Sequence, residues 1–182
     1  DGACTFSADG KTMYFTRCRT SPESPVYAEI YSSARTGANW GTPTKCAILN
    51  DSLSSVAHPA MSPVGDFLYF VSDMPGGYGG LDLWRINVVQ DGFGYVDNLG
   101  PEINTAGDEM FPTFGPKGEL YFSSNGHPGM GGLDIFRAVQ DTLSGKWKVE
   151  NMRSPLNSAS DDFGMTFEPG HPRGFFSSNR GD

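Results

Sequence analysis

Apolar residues in this chain fall in short runs of about five to eight, each ended by Gly, Pro, Asn, Asp or Ser, and they never recur at helical spacing. The run from Phe67 to Val71 is apolar on both alternating faces. A half-exposed strand would turn a polar side chain outward at every second position, so this one is expected to be covered from two sides. It follows the turn signal Ser62-Pro63-Val64-Gly65 and precedes a glycine-rich stretch. The whole segment then returns: LYFVSDMPGGYGGLDLWRI from Leu68 to Ile86 is matched by LYFSSNGHPGMGGLDIFRA from Leu120 to Ala138.

Set in register, the chain divides into units. The first has Cys4-Thr5-Phe6, a turn over Ser7 to Gly10, a return through Met13 to Thr16, a loop from Arg19 to Pro25, a third run from Ala28 to Ser33, and a fourth from near Trp40 to Asn50. The second has Pro59 to Met61, Phe67 to Val71, Leu81 to Val88 and Tyr95 to Leu99. In the third, Pro112 to Phe114, Leu120 to Ser123, Leu133 to Val139 and Trp147 to Val149 take the same places. A fourth begins at Met165-Thr166-Phe167 and returns through Phe175 to Ser178. Phe15, Phe70, Phe122 and Phe176 mark the period, at roughly 52 to 55 residues. Four short strands repeated at this interval predict an all-β fold, a β-propeller of four-stranded antiparallel blades, here three blades plus the inner hairpin of a fourth. The expected blades are 1–55, 56–109 and 110–162, with the incomplete hairpin over 163–182. A closed ring takes about four to eight blades, so this is expected to be part of a longer propeller. Trp40, Tyr95 and Trp147, each at the head of a fourth strand, are expected to cover the outer edges.

The turn-and-strand pattern Ser62 to Phe70, with Gly115 to Phe122, resembles the Pro-Asp, WD-like β-propeller repeat also found in TolB. Ile103-Asn104-Thr105, Asp108-Glu109, Phe111-Pro112, Leu120 to Ser124 and Gly131 to Phe136 bring the resemblance closer to the propeller of Bacteroidota OmpA-family periplasmic proteins, among them the PorE-like components of type IX secretion. The first unit departs from this pattern, with Val26 to Tyr31 where Gly-Gly-Leu-Asp stands elsewhere. The resemblance implies a periplasmic, outer-membrane-associated location and secretion proteins as partners. Peptidoglycan would be held only by an OmpA-like domain outside these residues. It also makes Asp51-Ser52-Leu53 and Asp141-Thr142-Leu143 look like O-glycosylation acceptors, at Ser52 and Thr142.

Charge narrows the partners. With 21 acids against 13 bases and a formal charge of -8, the chain would repel a nucleic-acid backbone, and no basic cluster is visible in the sequence to offset this. No apolar run is long enough for a membrane span, so direct insertion is not expected. Three cysteines, Cys4, Cys18 and Cys46, fit no zinc spacing; one disulfide, with Cys18 and Cys46 as the candidate pair, is open.

Four features carry potential chemistry. The glycine stretches Gly76 to Gly80 and Gly129 to Gly132 lead into strands rather than helices, so they are read as backbone devices and not as phosphate cradles. Asp82 and Asp134, after Gly-Gly-Leu, are candidate calcium ligands together with Asp73 or loop carbonyls. The competing reading is that each carboxylate accepts backbone amides and locks its turn. The acid pairs Asp108-Glu109 and Asp161-Asp162 recur just before inner strands, which suits a channel rim or a cap between blades better than a glycosidase pair. His58, His127 and His171 are scattered, with no nucleophile or metal motif around them. The sequence therefore reads as a non-enzymatic scaffold that needs no cofactor, with Tyr78, Met130 and Trp147 as surface candidates. The alternatives are a TolB-like translocation accessory and a glycan-binding or sialidase-like propeller.

Overall fold

The computed structural model describes residues 1–21, 24–49, 54–90, 92–168, 171 and 173–181, with backbone alone for 19–21 and 24–26. Among these residues every regular element is a strand. The first sheet is formed by β1 (Gly2–Phe6), β2 (Thr12–Ser21), β3 (Ser24–Thr36), β4 (Asn39–Trp40) and β5 (Thr44–Lys45). The second runs β6 (Val56–Met61), β7 (Phe67–Ser72), β8 (Asp82–Val89), β9 (Gly92–Asn98). The third runs β10 (Glu109–Phe114), β11 (Leu120–Ser124), β12 (Asp134–Gln140), β13 (Trp147–Asn151), and the last sheet pairs β14 (Asp162–Phe167) with β15 (Gly174–Ser178). Each is an antiparallel meander, and together they make a partial β-propeller.

Two apolar cores lie between successive blades. Ile30, Cys46 and Ile48 of the first blade pack with Leu68, Phe70, Trp84 and Ile86 of the second. Tyr69, Val71 and Leu83, from the opposite face of that blade, pack with Leu120, Phe122, Phe136 and Ala138 of the third. The side chains of β7 thus alternate between two neighbours, which is why its sequence is apolar at every position from Phe67 to Val71. Burying a Phe or Leu from both sides contributes roughly 1.5–3 kcal/mol per side chain.

The meander sets two ends. The turns from first to second strand and from third to fourth lie at one end, called here the hairpin end. The loops from second to third strand, and the links to the next blade, lie at the other, the latch end. Ala8 and Gly65 come close, as do Pro63 and Gly118, so the hairpin turns of successive blades adjoin.

Three local readings of the sequence are revised. The stretch taken as a loop from Arg19 to Pro25 is largely strand: β2 and β3 form a long hairpin that pairs Arg19 with Tyr27 and Ser21 with Ser24. Pro25 and the serines suggested a loop, but the Thr and Tyr residues around them favour extended backbone. The fourth run of the first blade is split into β4 and β5 around Gly41 and Pro43. Tyr95 covers no edge, being 85% exposed. A register shift between Ile86 and Val88 instead places Phe93 opposite Val88, where its ring meets Tyr14 at 6.3 Å.

Candidate functional site

The Gly-Gly-Leu-Asp loops fasten the second blade to the third and the third to the fourth. At the latch end Gly80 N–H donates to Gly107 carbonyl, Leu81 N–H to Asp108 Oδ1, and Glu109 N–H to Leu81 carbonyl, at 2.9, 2.9 and 2.6 Å. One blade later, Leu133 N–H donates to Asp161 Oδ1 and Asp162 N–H to Leu133 carbonyl, at 2.9 and 2.7 Å. Asn125 holds Asp108 through Asp108 N–H and its own amide, and Asn179 does the same for Asp161. Gly79 and Gly131 are needed for close approach: a Cβ on Gly79 would lie 2.3 Å from Thr105 carbonyl oxygen, and one on Gly131 would lie 2.0 Å from that of Ser160.

The acid pairs therefore cap the connections between blades. Glu109, fully buried, accepts from Thr105 N–H, Thr105 Oγ1 and Ser124 Oγ. Asp162 is buried too, and burial alone would raise its pKa. Hydrogen bonds from Ser178, Arg180 and Ser158 outweigh this and hold it below the usual carboxylate range. Arg180 also donates to the carbonyls of Pro155 and Leu156, so its guanidinium is engaged within the fold.

Asp82 and Asp134 are almost wholly buried. Oδ2 of Asp82 accepts Tyr78 N–H, and Oδ2 of Asp134 accepts the N–H groups of Met130 and Gly131, so each carboxylate closes its own glycine loop. Their Oδ1 atoms have no hydrogen-bond partner among the described residues. Asp73 accepts Ser55 N–H at 2.7 Å instead of joining Asp82. Among the described residues no three His, Cys, Asp or Glu side chains form a metal-holding group.

The inner strands build a second feature, which sequence reasoning missed. Each breaks register at one bulge, between Gly2 and Cys4, Ala57 and Ala60, Met110 and Thr113, and Phe163 and Thr166. Ala3, His58, Phe111 and Gly164 occupy equivalent bulge positions, all at positive φ, of 20°, 49°, 53° and 65°. For His58 and Phe111 this is a strained region, costing on the order of 1 kcal/mol each. The bulges turn these side chains into a groove of about 360 Å³ along the propeller axis, lined also by Cys4, Pro59, Phe163 and Met165. His58 stacks on Phe111 at 4.1 Å and 16°, and Phe111 contacts Phe163 at 5.3 Å. The nearest sequence signal was His58-Pro59 against Phe111-Pro112; the first inner strand of that blade starts at Val56 rather than Pro59, which puts His58 inside it.

Burial pushes the His58 pKa down from 6.5 to about 4. Phe111 N–H donates to His58 Nδ1 at 3.4 Å, so the neutral ring carries its proton on Nε2. A folded-state pKa below the unfolded one means that the contribution to stability is complete above about pH 6.5 and is lost as the pH falls towards 4. Thermal melts from pH 8 to 4 should show this loss, and His58→Phe should flatten the profile over that window.

The surface candidates separate. Tyr78 and Met130 are exposed at the latch end, 51% and 49%. Trp147 sits near the hairpin end, half-buried against the second core. Thr142 lies exposed in the turn closed by Asp141, whose Oδ1 accepts Leu143 and Ser144 N–H; Ser52 falls outside the described residues. The three cysteines are unpaired, and Cys46 is buried. His127 hydrogen-bonds the Ile103 carbonyl at 2.8 Å and packs against the stacked rings of Phe122 and Phe136, while His171 lies 3.8 Å from Glu168 in a turn.

No family model matches the sequence, and no curated protein matches it. Solved structures do. A prolyl endopeptidase, from a study of two such enzymes and their inter-domain dynamics, superposes with a TM-score of 0.59 at 18% identity, over 96% of this chain and 22% of that one. TolB from Acinetobacter baumannii superposes with a TM-score of 0.51 at 14% identity, over 97% of this chain and 39% of that one. The chain thus spans well under half the length of either, and at these identities the likeness is one of fold: this chain shares the β-propeller architecture of both.

Proposed function

We propose that the chain is a non-enzymatic propeller scaffold whose axial groove docks a partner protein in a periplasmic, outer-membrane-associated complex. One observation carries this reading. The four bulges fall at one position of the inner strand, each with a positive φ, whereas the residues they display, Ala3, His58, Phe111 and Gly164, all differ. Positions that hold the blades together repeat instead: Asn104 with Asn157, Asp108 with Asp161, Asp82 with Asp134. A fixed frame presenting varied side chains at one point is the layout of a recognition surface, and the stacked His58 and Phe111 rings are its anchors.

The motif resemblance supports type IX secretion proteins as the partners, with peptidoglycan held elsewhere. The TolB-like fold equally suits a translocation accessory using the same groove. Glycan-processing chemistry is disfavoured because the paired acids are occupied with backbone amides, hydroxyls and Arg180. The test is affinity capture from the native envelope. Wild-type protein should retain outer-membrane secretion components, and Phe111→Ala should retain roughly tenfold less, the cost of losing one aromatic anchor. Circular dichroism would confirm that the variant is folded. Glycan turnover by the isolated protein, or capture indifferent to Phe111, would overturn the reading.

A further inference from the structure

Among the described residues, six of the eleven large hydrophobic side chains that stand exposed, Phe6, Trp40, Val64, Val89, Val139 and Leu143, lie at the hairpin end, on the turns or beside them. Leu143 is 97% exposed at the tip of the turn between β12 and β13, and Val64 is 77% exposed in the turn between β6 and β7. Phe6 and Trp40 stack on each other at 5.7 Å. These side chains come from three blades, and because the hairpin turns adjoin, they project from one side of the disc.

Charge is divided between the two ends. The described residues of the hairpin end, 6–12, 35–40, 61–67, 88–90, 92–93, 114–120, 139–147, 167–168, 171 and 173–174, carry five bases, Lys11, Arg35, Lys117, Lys146 and Arg173. They carry five acids, Asp9, Asp66, Glu119, Asp141 and Glu168. The other described residues carry twelve acids against eight bases, whereas at this end bases and acids balance. Several of these acids are also engaged locally: Asp9 with Ser7 and Lys11, Asp66 with Ser62, Glu168 with Arg173. The hairpin end is thus nearly neutral, with apolar tips set among long basic side chains, in a molecule that is otherwise acidic.

We propose that the hairpin end adsorbs to a lipid surface, its apolar turn tips entering the boundary between headgroups and acyl chains. A protein partner of ordinary size needs a continuous, shape-matched apolar centre. Here the apolar groups stand on separate turns with charged residues between them, an arrangement that a fluid interface accommodates side chain by side chain. Trp40 has the ring chemistry favoured at that depth, and Lys11, Lys117 and Lys146 can extend their ends to headgroup level. Near-neutrality removes the repulsion that the net charge would otherwise impose, and the acidic latch end faces away. This is adsorption without a spanning segment, and it does not depend on the axial groove.

The test is co-sedimentation with vesicles rich in phosphatidylethanolamine and containing a minority of phosphatidylglycerol, alongside quenching of Trp40 by brominated lipid. Saturable adsorption that persists at high salt is expected, because apolar burial drives it. Leu143→Asp and Val64→Asp, at exposed turn positions, should each lower the partition coefficient by roughly tenfold, whereas Met130→Asp at the latch end should leave it unchanged. Failure to sediment with millimolar lipid, loss of adsorption in salt, or equal damage from Met130→Asp would each overturn the proposal. So would a hairpin end that only self-associates, seen as sedimentation of a dimer abolished by Leu143→Asp with no lipid binding.

Discussion

Gly131→Ala is expected to destabilise the protein by at least about 3 kcal/mol, within the range of severe overpacking, and to lower its Tm by roughly 6–12 °C for a chain of this size. The added methyl would lie 2.0 Å from Ser160 carbonyl oxygen and 2.8 Å from that of Ser158. Both are backbone atoms of the link to the next blade, so no rotamer change can relieve the clash. To make room, the link must move, and that stretches Leu133 N–H to Asp161 and Asp162 N–H to Leu133. Gly145→Ala is the comparison. Gly145 sits at a φ of 71° with open space around it, and its substitution costs only the conformational penalty of about 1 kcal/mol. Thermal denaturation of both variants measures the difference. Equal losses would mean that the glycine loops matter for their torsions and not for blade contact.

That comparison bears on what the sequence could tell. The near identity of the two glycine loops pointed to a structural role through positive φ and close backbone approach, and of these positive φ applies only to Gly76 among Gly76 to Gly80. The others stand where the Asp five residues on comes too close for a side chain, or where the link to the next blade does, a contact between residues about 28 apart whose partners no local pattern names. Strand positions, the period and the two-sided burial of β7 were readable because each rests on spacing along the chain. The function of Asp108 and Asp161 was half readable, since repetition pointed to a cap between blades, while their partners, the Leu81 and Leu133 amides, emerged only from the fold.

The axial groove and the hairpin end were not readable for a related reason. His58, Phe111 and Phe163 are separated by roughly one repeat each, and a bulge changes which way a side chain points without changing the residue that bears it. Val64, Val89 and Leu143 looked like ordinary turn residues one at a time. Only the meander gathers them at one end, and only a count by ends reveals that the acids lie mostly at the other.

Asn157→Ala should cost about 2–4 kcal/mol, and Asn104→Ala a similar amount, although neither residue touches a groove or a partner surface. Asn157 Oδ1 accepts Ile135 N–H at 2.8 Å, and its Nδ2 donates to Ile135 carbonyl and Asn151 Oδ1, both at 2.9 Å. Asn104 repeats this with Leu83 N–H, Leu83 carbonyl and Asn98 Oδ1 at 2.8, 2.9 and 2.8 Å. Each side chain is 1–2% exposed and ties the link after one blade to that blade's third strand. Truncation leaves the amide of Ile135 or Leu83 unpaired in a dry interior, and the carbonyl is partly spared because Met152 or Leu99 N–H also reaches it. Asn157→Asp keeps an acceptor for the amide but removes the donor and buries a charge, so it should rescue little. The two asparagines serve different blades and share no partner, so their losses should add. The double variant would then lose about 4–8 kcal/mol, comparable with the whole stability of an ordinary domain, and should be largely unfolded at 25 °C in urea titration. If either single variant lost less than about 0.5 kcal/mol, the asparagine clamp would be ornamental, and blade closure would rest on the latch and the apolar cores alone.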